Sequence, residues 1–466
     1  MRKNKVLLAS IIRFAIVSAV AAPTGILAGG FSLNEQSASA MGVANAGTAA
    51  NPENATTVFF NPAGMSQLSG TNLSFGAAVL DIDAELKEGT GSAVRDNGSP
   101  VTGGNGGDIA DPAILPNLYM THEVNDWLDV GFGLNVPYGL VADYDDDFKG
   151  RFFADETELT AIAFSPSFAV NDGNGFSIGA GVNIIYAEGR ITKFQDYSGT
   201  EASLGLPQGT LSDGYADIEG DDLAFTFAFG LLWELTEQTQ VGISGQTGKE
   251  LKLQGDADIQ NYPQATGGNP PLSQSAVTEK GQVPLEIPES ITFGARHRLN
   301  DRVTLLAGAT WAKWSRFEAL DIVSREENGP VSSRTGPGLG NDRLIAHVSE
   351  NWQDTWQANI GAIWQATPEW ALKTGYAWDE SPVNDDFRTA RIPSGDREWL
   401  TLGAQYANLH SGWTVDVAAG VLLFDDEEVD EQNYDVNDDP TPGAARYQGT
   451  YELDAWSAGV QVSKQF

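Results

Sequence analysis

The chain has 466 residues, with 27 Lys and Arg against 63 Asp and Glu, a net charge of −36 and no cysteine. An acid excess of that size lacks the basic footprint that nucleic-acid binding needs. Without cysteine there are no disulfides, thiolate metal sites or thiol nucleophiles.

In chain order, residues 1–28 read as a secretory signal peptide. Arg2, Lys3 and Lys5 precede an apolar run from Val6 to Ala22, broken by Arg13, and small residues stand near Ala28. Cleavage at Gly29 leaves 23 Lys and Arg against the same 63 acids. No later run approaches the ~20 apolar residues of a helical span. Residues 29–70 are rich in Ala, Gly, Asn and Ser, nearly uncharged and without a period, and they contain "NPAG".

From Thr71 onward the pattern alternates. In "LAFTFAFGLLWEL", Leu223, Phe225, Phe227, Phe229, Leu231, Trp233 and Leu235 share one face, with mostly small residues on the other. Fourteen such runs occur: 71–83, 113–123, 127–138, 157–171, 175–195, 221–235, 239–255, 286–299, 302–318, 352–366, 369–380, 396–408, 412–424 and 447–466. Many reach the ~9–11 residues that cross a bilayer at a tilt. The connections alternate between tight turns such as "EVND", "TEQT" and "ATPE" and long loops such as 84–112, 319–351 and 425–446. A soluble sandwich has no reason to sort its loops by length. The pattern predicts an all-β transmembrane antiparallel barrel of 14 strands over 71–466, with both ends on the short-turn side.

Acids gather in the long loops, in "DYDDDF" and "DDEEVDEQNYDVNDDP". They are either solvated or bind divalent cations that bridge lipopolysaccharide phosphates. Trp127, Tyr138, Trp311, Trp314, Trp352, Trp356, Trp364, Trp370, Trp378 and Trp399 lie near strand ends, as interfacial girdles require; carbohydrate stacking is the alternative. The alternating strand that ends in Phe466 matches the assembly signal of bacterial outer-membrane barrels. The localisation expected is therefore the outer membrane, with the barrel assembly machinery and outer-membrane lipid as partners and a monomeric state.

Catalytic signals are weak. His122, His297, His347 and His410 form no HExxH, and no GxSxG elbow or Walker loop occurs. "GGNGGD" is half of one calcium-binding repeat, and "DYDDDF" lacks the Gly and terminal Glu of an EF-hand. No cofactor, no metal and no enzymatic activity are expected. An outer-membrane lipase or protease would need a Ser/His or Asp/His set at the rim, and the sequence displays none.

A barrel of this size has a lumen too wide for wall side chains to fill. Residues 29–70 are the candidate plug, because Gly, Ala and Ser let a backbone approach the wall closely. At this point the residues carry a resemblance. "GGFSLNEQSASAMGVANAGTA…FFNPAGMSQL", "PYGLVADY", "IYAEGRITKF" and "TGYAWDESPV…ARIPSGDREWLTLGAQY" resemble the FadL-type long-chain fatty acid transporters, over nearly the whole chain after residue 28. The family also has a TodX-like aromatic-hydrocarbon branch.

The resemblance implies passive uptake of hydrophobic molecules. Ligand lands in a groove between external loops, here 196–220 and 256–285, and moves to a pocket beside an N-terminal hatch, 29–70. It then leaves sideways at a kink in the third strand. By the same resemblance Phe31, with Leu33 beside it, lines the pocket. Asn61, Pro62 and Ala63 form the hatch motif, and Gly131, Phe132 and Gly133 mark the kink. A buried carboxylate needs a cation, and Arg190 and Lys193 are the candidates in the matching segment. Without such a cation, a neutral aromatic hydrocarbon or alkane is the alternative ligand.

Overall fold

The computed structural model describes residues 30–266, 272–332, 344–441 and 443–466; the expected signal peptide lies outside them. Among the described residues the wall consists of β1 Thr71–Leu86, β2 Ala113–Asn125, β3 Leu128–Asp143, β4 Glu156–Phe164 with Ser167–Asn171, β5 Phe176–Gln195, β6 Gly214–Glu234 and β7 Thr239–Gln246 with Lys249–Ala265. It continues with β8 Leu272–Ile287 with Ser290–Arg298, β9 Val303–Ala312 with Ala319–Ser324, β10 Leu344–Ser349 with Thr355–Gln365, β11 Trp370–Asp379, β12 Arg397–Asn408, β13 Trp413–Phe424 with Glu427–Gln432, and β14 Arg446–Gln465. Each strand pairs antiparallel with the next. β14 returns to β1 from Asn72↔Gln465 to Leu86↔Tyr451, so the 14-stranded barrel closes.

The alternation resolves as large apolar residues outside and small or polar residues inside. On β6, Phe225, Phe227, Phe229, Leu231 and Trp233 are exposed, while Thr226 and Leu232 are buried. Water would penalise such an outer face; a bilayer stabilises it. Trp356 and Trp364 are both exposed on β10. Eight residues at ~3.3 Å each separate them by roughly 26 Å, the height of an apolar band. The girdle reading holds for Trp127, Trp356, Trp364 and Trp370, which are exposed, but Tyr138, Trp314, Trp352 and Trp399 are buried. These four lie at inward positions of the alternation or in breaks of a strand, and they pack inside the barrel.

Beyond the girdle, β6, β7 and β8 continue as a paired wall, with Ile259↔Ala216 and Ala265↔Leu272 in register. Of the expected landing groove, 256–285 is strand over 256–265 and 272–285, whereas 196–220 carries a short helix, Ser198–Ser203, and joins the wall only from Gly214. Apolar side chains from the external segments, such as Phe148, Phe317 and Ile392, turn inward and pack with Leu80, Tyr447 and Tyr451.

β3 departs from the regular ladder. It pairs with β2 only from Asn125↔Leu128 up to Leu118↔Leu134. Against β4 the register slips between Asn135 and Tyr138. Pro137 lies in the slip, and Pro116 stands on β2 just past the last pair. Neither can donate to a ladder, so pairing ends there. The N-terminal segment replaces the missing partner: Leu33 N–H donates to Pro137 O (3.0 Å), Gly139 N–H to Phe31 O (3.0 Å), and Gln36 Nε2 to Val136 O (2.8 Å). Gly131, Phe132 and Gly133, expected at the kink, keep their ladder with β2 opposite Thr121, Met120 and Tyr119, while on the other edge the pairing with β4 is interrupted at Ser165–Pro166, between Leu134↔Phe164 and Gly131↔Ser167.

Candidate functional site

Residues 30–70 pack against the inward faces of the wall, and the wall is carved to receive them. Gly131, Gly179, Gly230, Gly242, Gly294, Gly308, Gly361, Gly375, Gly403 and Gly459, one on each of β3, β5 to β12 and β14, all abut this segment. A Cβ on Gly131 would come within 2.8 Å of Val58 Cγ2 and press on Met65. Gly131 is therefore a seat for the segment, and Gly133 likewise has no room beside the Tyr119 ring. Asn61 Nδ2 donates to Ala49 O (2.6 Å) and to Leu231 O of β6 (3.0 Å), and its Oδ1 accepts from Ala63 N–H. The Asn-Pro-Ala motif thus turns the chain and fastens it to the wall in one step.

A buried ionic cluster supplies a second fastening. Lys373 Nζ on β11 lies 2.6 Å from Glu53 Oε2, 3.2 Å from Asp416 Oδ1 on β13 and 3.0 Å from Ser39 Oγ. Breaking such a cluster on one side typically costs about 3–5 kcal/mol. Burial alone would raise the Glu53 carboxyl, yet its pKa is lowered below the ordinary range by the Lys373 ammonium and its hydrogen bonds.

The N-terminal end of the segment carries Phe31, which is 2% exposed. Its ring meets Trp314 at 4.6 Å and Tyr138 and Trp352 at 5.9 Å, mostly edge to face. Gly30 has φ +67°, and a Cβ there would lie 2.6 Å from Trp314 and 2.8 Å from Trp352. Only glycine admits this approach.

Two cavities meet at this cluster. The inner one, about 210 Å³, is lined half by Ser, Thr, Asn and Gln, and also by Leu33, Phe59, Phe60, Tyr138, Trp314 and the Asp379–Arg397 pair. The outer one, about 50 Å³, has Phe31 at its floor and Leu140, Leu159, Ile218, Leu285, Phe317 and Ile392 around it. Its polar borders include Glu350 and Arg391.

Arg391 is 3% exposed, yet no carboxylate pairs with it among the described residues. Its guanidinium donates to Glu156 O (3.2 Å), Phe153 O (3.2 Å), Thr192 O (3.2 Å) and the Thr157 hydroxyl. All are neutral acceptors, and burial lowers its pKa. Its loop is held rigidly: Tyr144 Oη donates to Ala390 O (2.5 Å), and Ala390 N–H donates to Glu431 Oε2 (2.8 Å). Glu350, beyond the Trp356 girdle, accepts from Trp352 Nε1 at 3.0 Å through Oε2, and its Oε1 has no partner among the described residues. Burial pushes its carboxyl up to about 8.

The predicted residues divide clearly. Phe31 and Leu33 border the cavities, and Asn61, Pro62 and Ala63 fasten the segment to the wall. Lys193 is not at the outer cavity; it lines a small cleft beside Phe153, His347 and Glu431. Arg190 borders the outer cavity, but its guanidinium is held by Glu156 and Asp217. Those partners stand on the outward-facing parity of β4 and β6, so the residue is spent on the outside of the wall. Sequence reasoning missed Arg391, Glu350 and Lys373. The available signal was "FRTARIPSGDREW", three arginines within ten residues of an acidic chain. Two of them are paired, Arg388 with Asp385 and Glu427 and Arg397 with Asp379.

The rim does hold a Ser/His/Asp set that the sequence did not display. His347 Nδ1 lies 2.6 Å from Asp321 Oδ1 and its Nε2 3.0 Å from Ser349 Oγ. Ser349 Oγ, however, donates its proton to Asp438 Oδ1 at 2.6 Å. The hydroxyl is therefore directed away from the imidazole and is 4% exposed, which is the wrong arrangement for a nucleophile. The chain Asp321–His347–Ser349–Asp438 ties the 433–441 loop to β9 and β10.

Comparison with known proteins agrees with this architecture. The family described as outer membrane protein transport protein (OMPP1/FadL/TodX) matches residues 18–466. The long-chain fatty acid transport protein of Escherichia coli O6:H1 is 26% identical over 454 residues, 94% of each chain. A Pseudomonas aeruginosa FadL homologue has the same fold, with a TM-score of 0.82 at 24% identity over 94% of this chain and 99% of that one. The Pseudomonas putida toluene transporter TodX superposes with a TM-score of 0.63 at 17% identity, over 94% and 99%.

Proposed function

The chain belongs to the outer membrane protein transport family (OMPP1/FadL/TodX), an outer-membrane β-barrel family of hydrophobic-compound transporters, and from that membership we propose that it imports long-chain fatty acids by passive diffusion. The observation that supports this substrate is Arg391, a buried guanidinium paired only with neutral groups at the edge of an apolar cavity. A buried cation without a counter-ion is costly, and a fatty-acid carboxylate entering from the external side would supply the missing charge.

In this reading residues 30–70 are the hatch. Phe31 is its moving part and the glycine-seated remainder is fixed. The outer cavity is far smaller than the ~300–1,000 Å³ of a usual ligand site. Ligand entry therefore displaces Phe31, joins the outer cavity to the inner one, and releases the Phe31–Gln36 stretch from the upper edge of β3. Freed of that surrogate strand, the seam between β2 and β3 at Asn135–Tyr138 is the lateral exit into the membrane. The fatty-acid transport named for the Escherichia coli relative supports the substrate class.

A second reading, import of neutral aromatic hydrocarbons or alkanes, is favoured by one observation. Arg391 already has four acceptors for its donors, and a neutral ligand would leave them undisturbed. Uptake by a host lacking its own transporter separates the two. Substituting Arg391→Gln should lower oleate uptake by about 10–100-fold, the loss of one or two charge-assisted hydrogen bonds, and leave toluene uptake unchanged. Equal loss of both would remove the head-group role.

A further inference from the structure

This inference rests on the head-group role of Arg391 and concerns a second group at the same cavity. Glu350 is 1% exposed, borders the apolar cavity with Arg391, and leaves Oε1 without a partner among the described residues. Its other oxygen is fixed by the Trp352 indole, whose ring is in turn packed on Phe31. A carboxylate so placed would repel an anionic ligand and offer it only acceptors. A carboxylic acid in the same position has one O–H to donate.

We propose that Glu350 acts in its protonated form as the hydrogen-bond donor to the anionic head group held by Arg391, so that binding requires one proton on the protein. The ligand charge is then neutralised by the guanidinium and its second oxygen is satisfied by the acid. Donors from two directions would select a compact oxyanion and disfavour an alcohol or a hydrocarbon. The charged groups facing Glu350 are Arg391 from the 381–396 loop and Glu431 from β13, and Lys193 on β5 faces Glu431 and Arg391 in turn. The Trp352 hydrogen bond and Arg391 favour the ionised form of Glu350 and Glu431 disfavours it, but burial outweighs them.

The sign follows from linkage. Glu350 remains protonated below pH about 8 and ionises above it. Affinity for an anion is therefore present at neutral pH and falls by about tenfold per pH unit on the alkaline side.

The test uses the purified full chain in neutral detergent, with calorimetric titration from pH 6.5 to 10. Hexadecanesulfonate is the probe, because it is anionic throughout this range and brings no proton; 1-hexadecanol is its neutral counterpart. Wild-type Kd for the sulfonate should rise about a hundredfold between pH 6.5 and pH 10, with hexadecanol constant within about twofold. In Glu350→Gln the sulfonate change across the same range should shrink to less than about twofold, and hexadecanol binding reports whether the cavity is intact. A flat wild-type sulfonate profile, or the same alkaline loss in Glu350→Gln, overturns the proposal. Failure of the underlying reading looks different: a sulfonate preference over hexadecanol at pH 6.5 that is absent, or that survives Arg391→Gln, removes the head-group role itself.

Discussion

Replacing Phe31 by Ala tests whether the N-terminal end of the segment is held separately from the rest. Phe31 is almost fully buried against Trp314, Trp352, Tyr138 and Phe317. Truncating such a side chain costs about 3–5 kcal/mol. The cost should be local, because the ring holds only the 30–36 stretch. Residues from Ser37 onward have their own anchors in Lys373, Asn61 and the wall glycines. At 1.4 kcal/mol per decade the undocked state of this end gains about 2 to 3.5 orders of magnitude in population. Native-state hydrogen exchange reads that quantity directly. The amides of Leu33 and Gly139, which bond across the Phe31 backbone pairing, should lose about a hundredfold or more in protection. Amides at Met41, Asn61 and Gly64 should keep theirs. Unchanged protection at Leu33 and Gly139, or a collapse of protection along the whole of 30–70, would refute the division into a moving end and a fixed body.

Two further outcomes follow from the geometry. Lys373→Met leaves Glu53 and Asp416 buried without their cation, at about 3–5 kcal/mol, and should expose the body of the segment to exchange and raise single-channel conductance; a conductance equal to wild type would refute the anchoring role. Asn117 and Asn135 stand one step past the last β2–β3 pair, and the native chain has no cysteine. An Asn117→Cys/Asn135→Cys disulfide should slow uptake reversibly, and equal rates in oxidised and reduced protein would refute exit at this seam.

The barrel was legible because a bilayer imposes a simple rule. Every wall residue is either lipid-facing or lumen-facing, and the period of two records that choice in strands such as 221–235. Loop sorting then fixed the topology. The site was less legible because it is made where the rule stops. Arg391 lies in a loop that folds inward, and nothing in its neighbours' pattern tells which of three nearby arginines will lack a carboxylate. Arg190 was misassigned for the opposite reason: it obeys the alternation, which points it outward to Glu156 and Asp217. Gly131 and Gly133 were assigned to the kink by resemblance, whereas the fold uses Gly131 as space for Val58 and Met65. The decisive signals were the two prolines, whose effect depends on which edge of the strand they face. The ring of wall glycines was invisible from sequence, since each glycine acquires its meaning from a segment more than sixty residues away.

The buried fastening of residues 39–61 also constrains the order in which the molecule can be made. Glu53, near the start of the chain, is caught between Lys373 on β11 and Asp416 on β13, and Ser37 Oγ donates to Gln461 Oε1 on the last strand (2.8 Å). These contacts span most of the sequence, the kind of long-range closure that slows folding. The partners lie on β11, β13 and β14, so this fastening can form only after those strands have joined the wall. Residues 37–61 therefore reach their final seat only when the last strands are present. In that interval the run Thr56, Thr57, Val58, Phe59 and Phe60, which becomes the short helix Thr57–Phe60 in the finished fold, is β-prone and apolar and needs protection from aggregation.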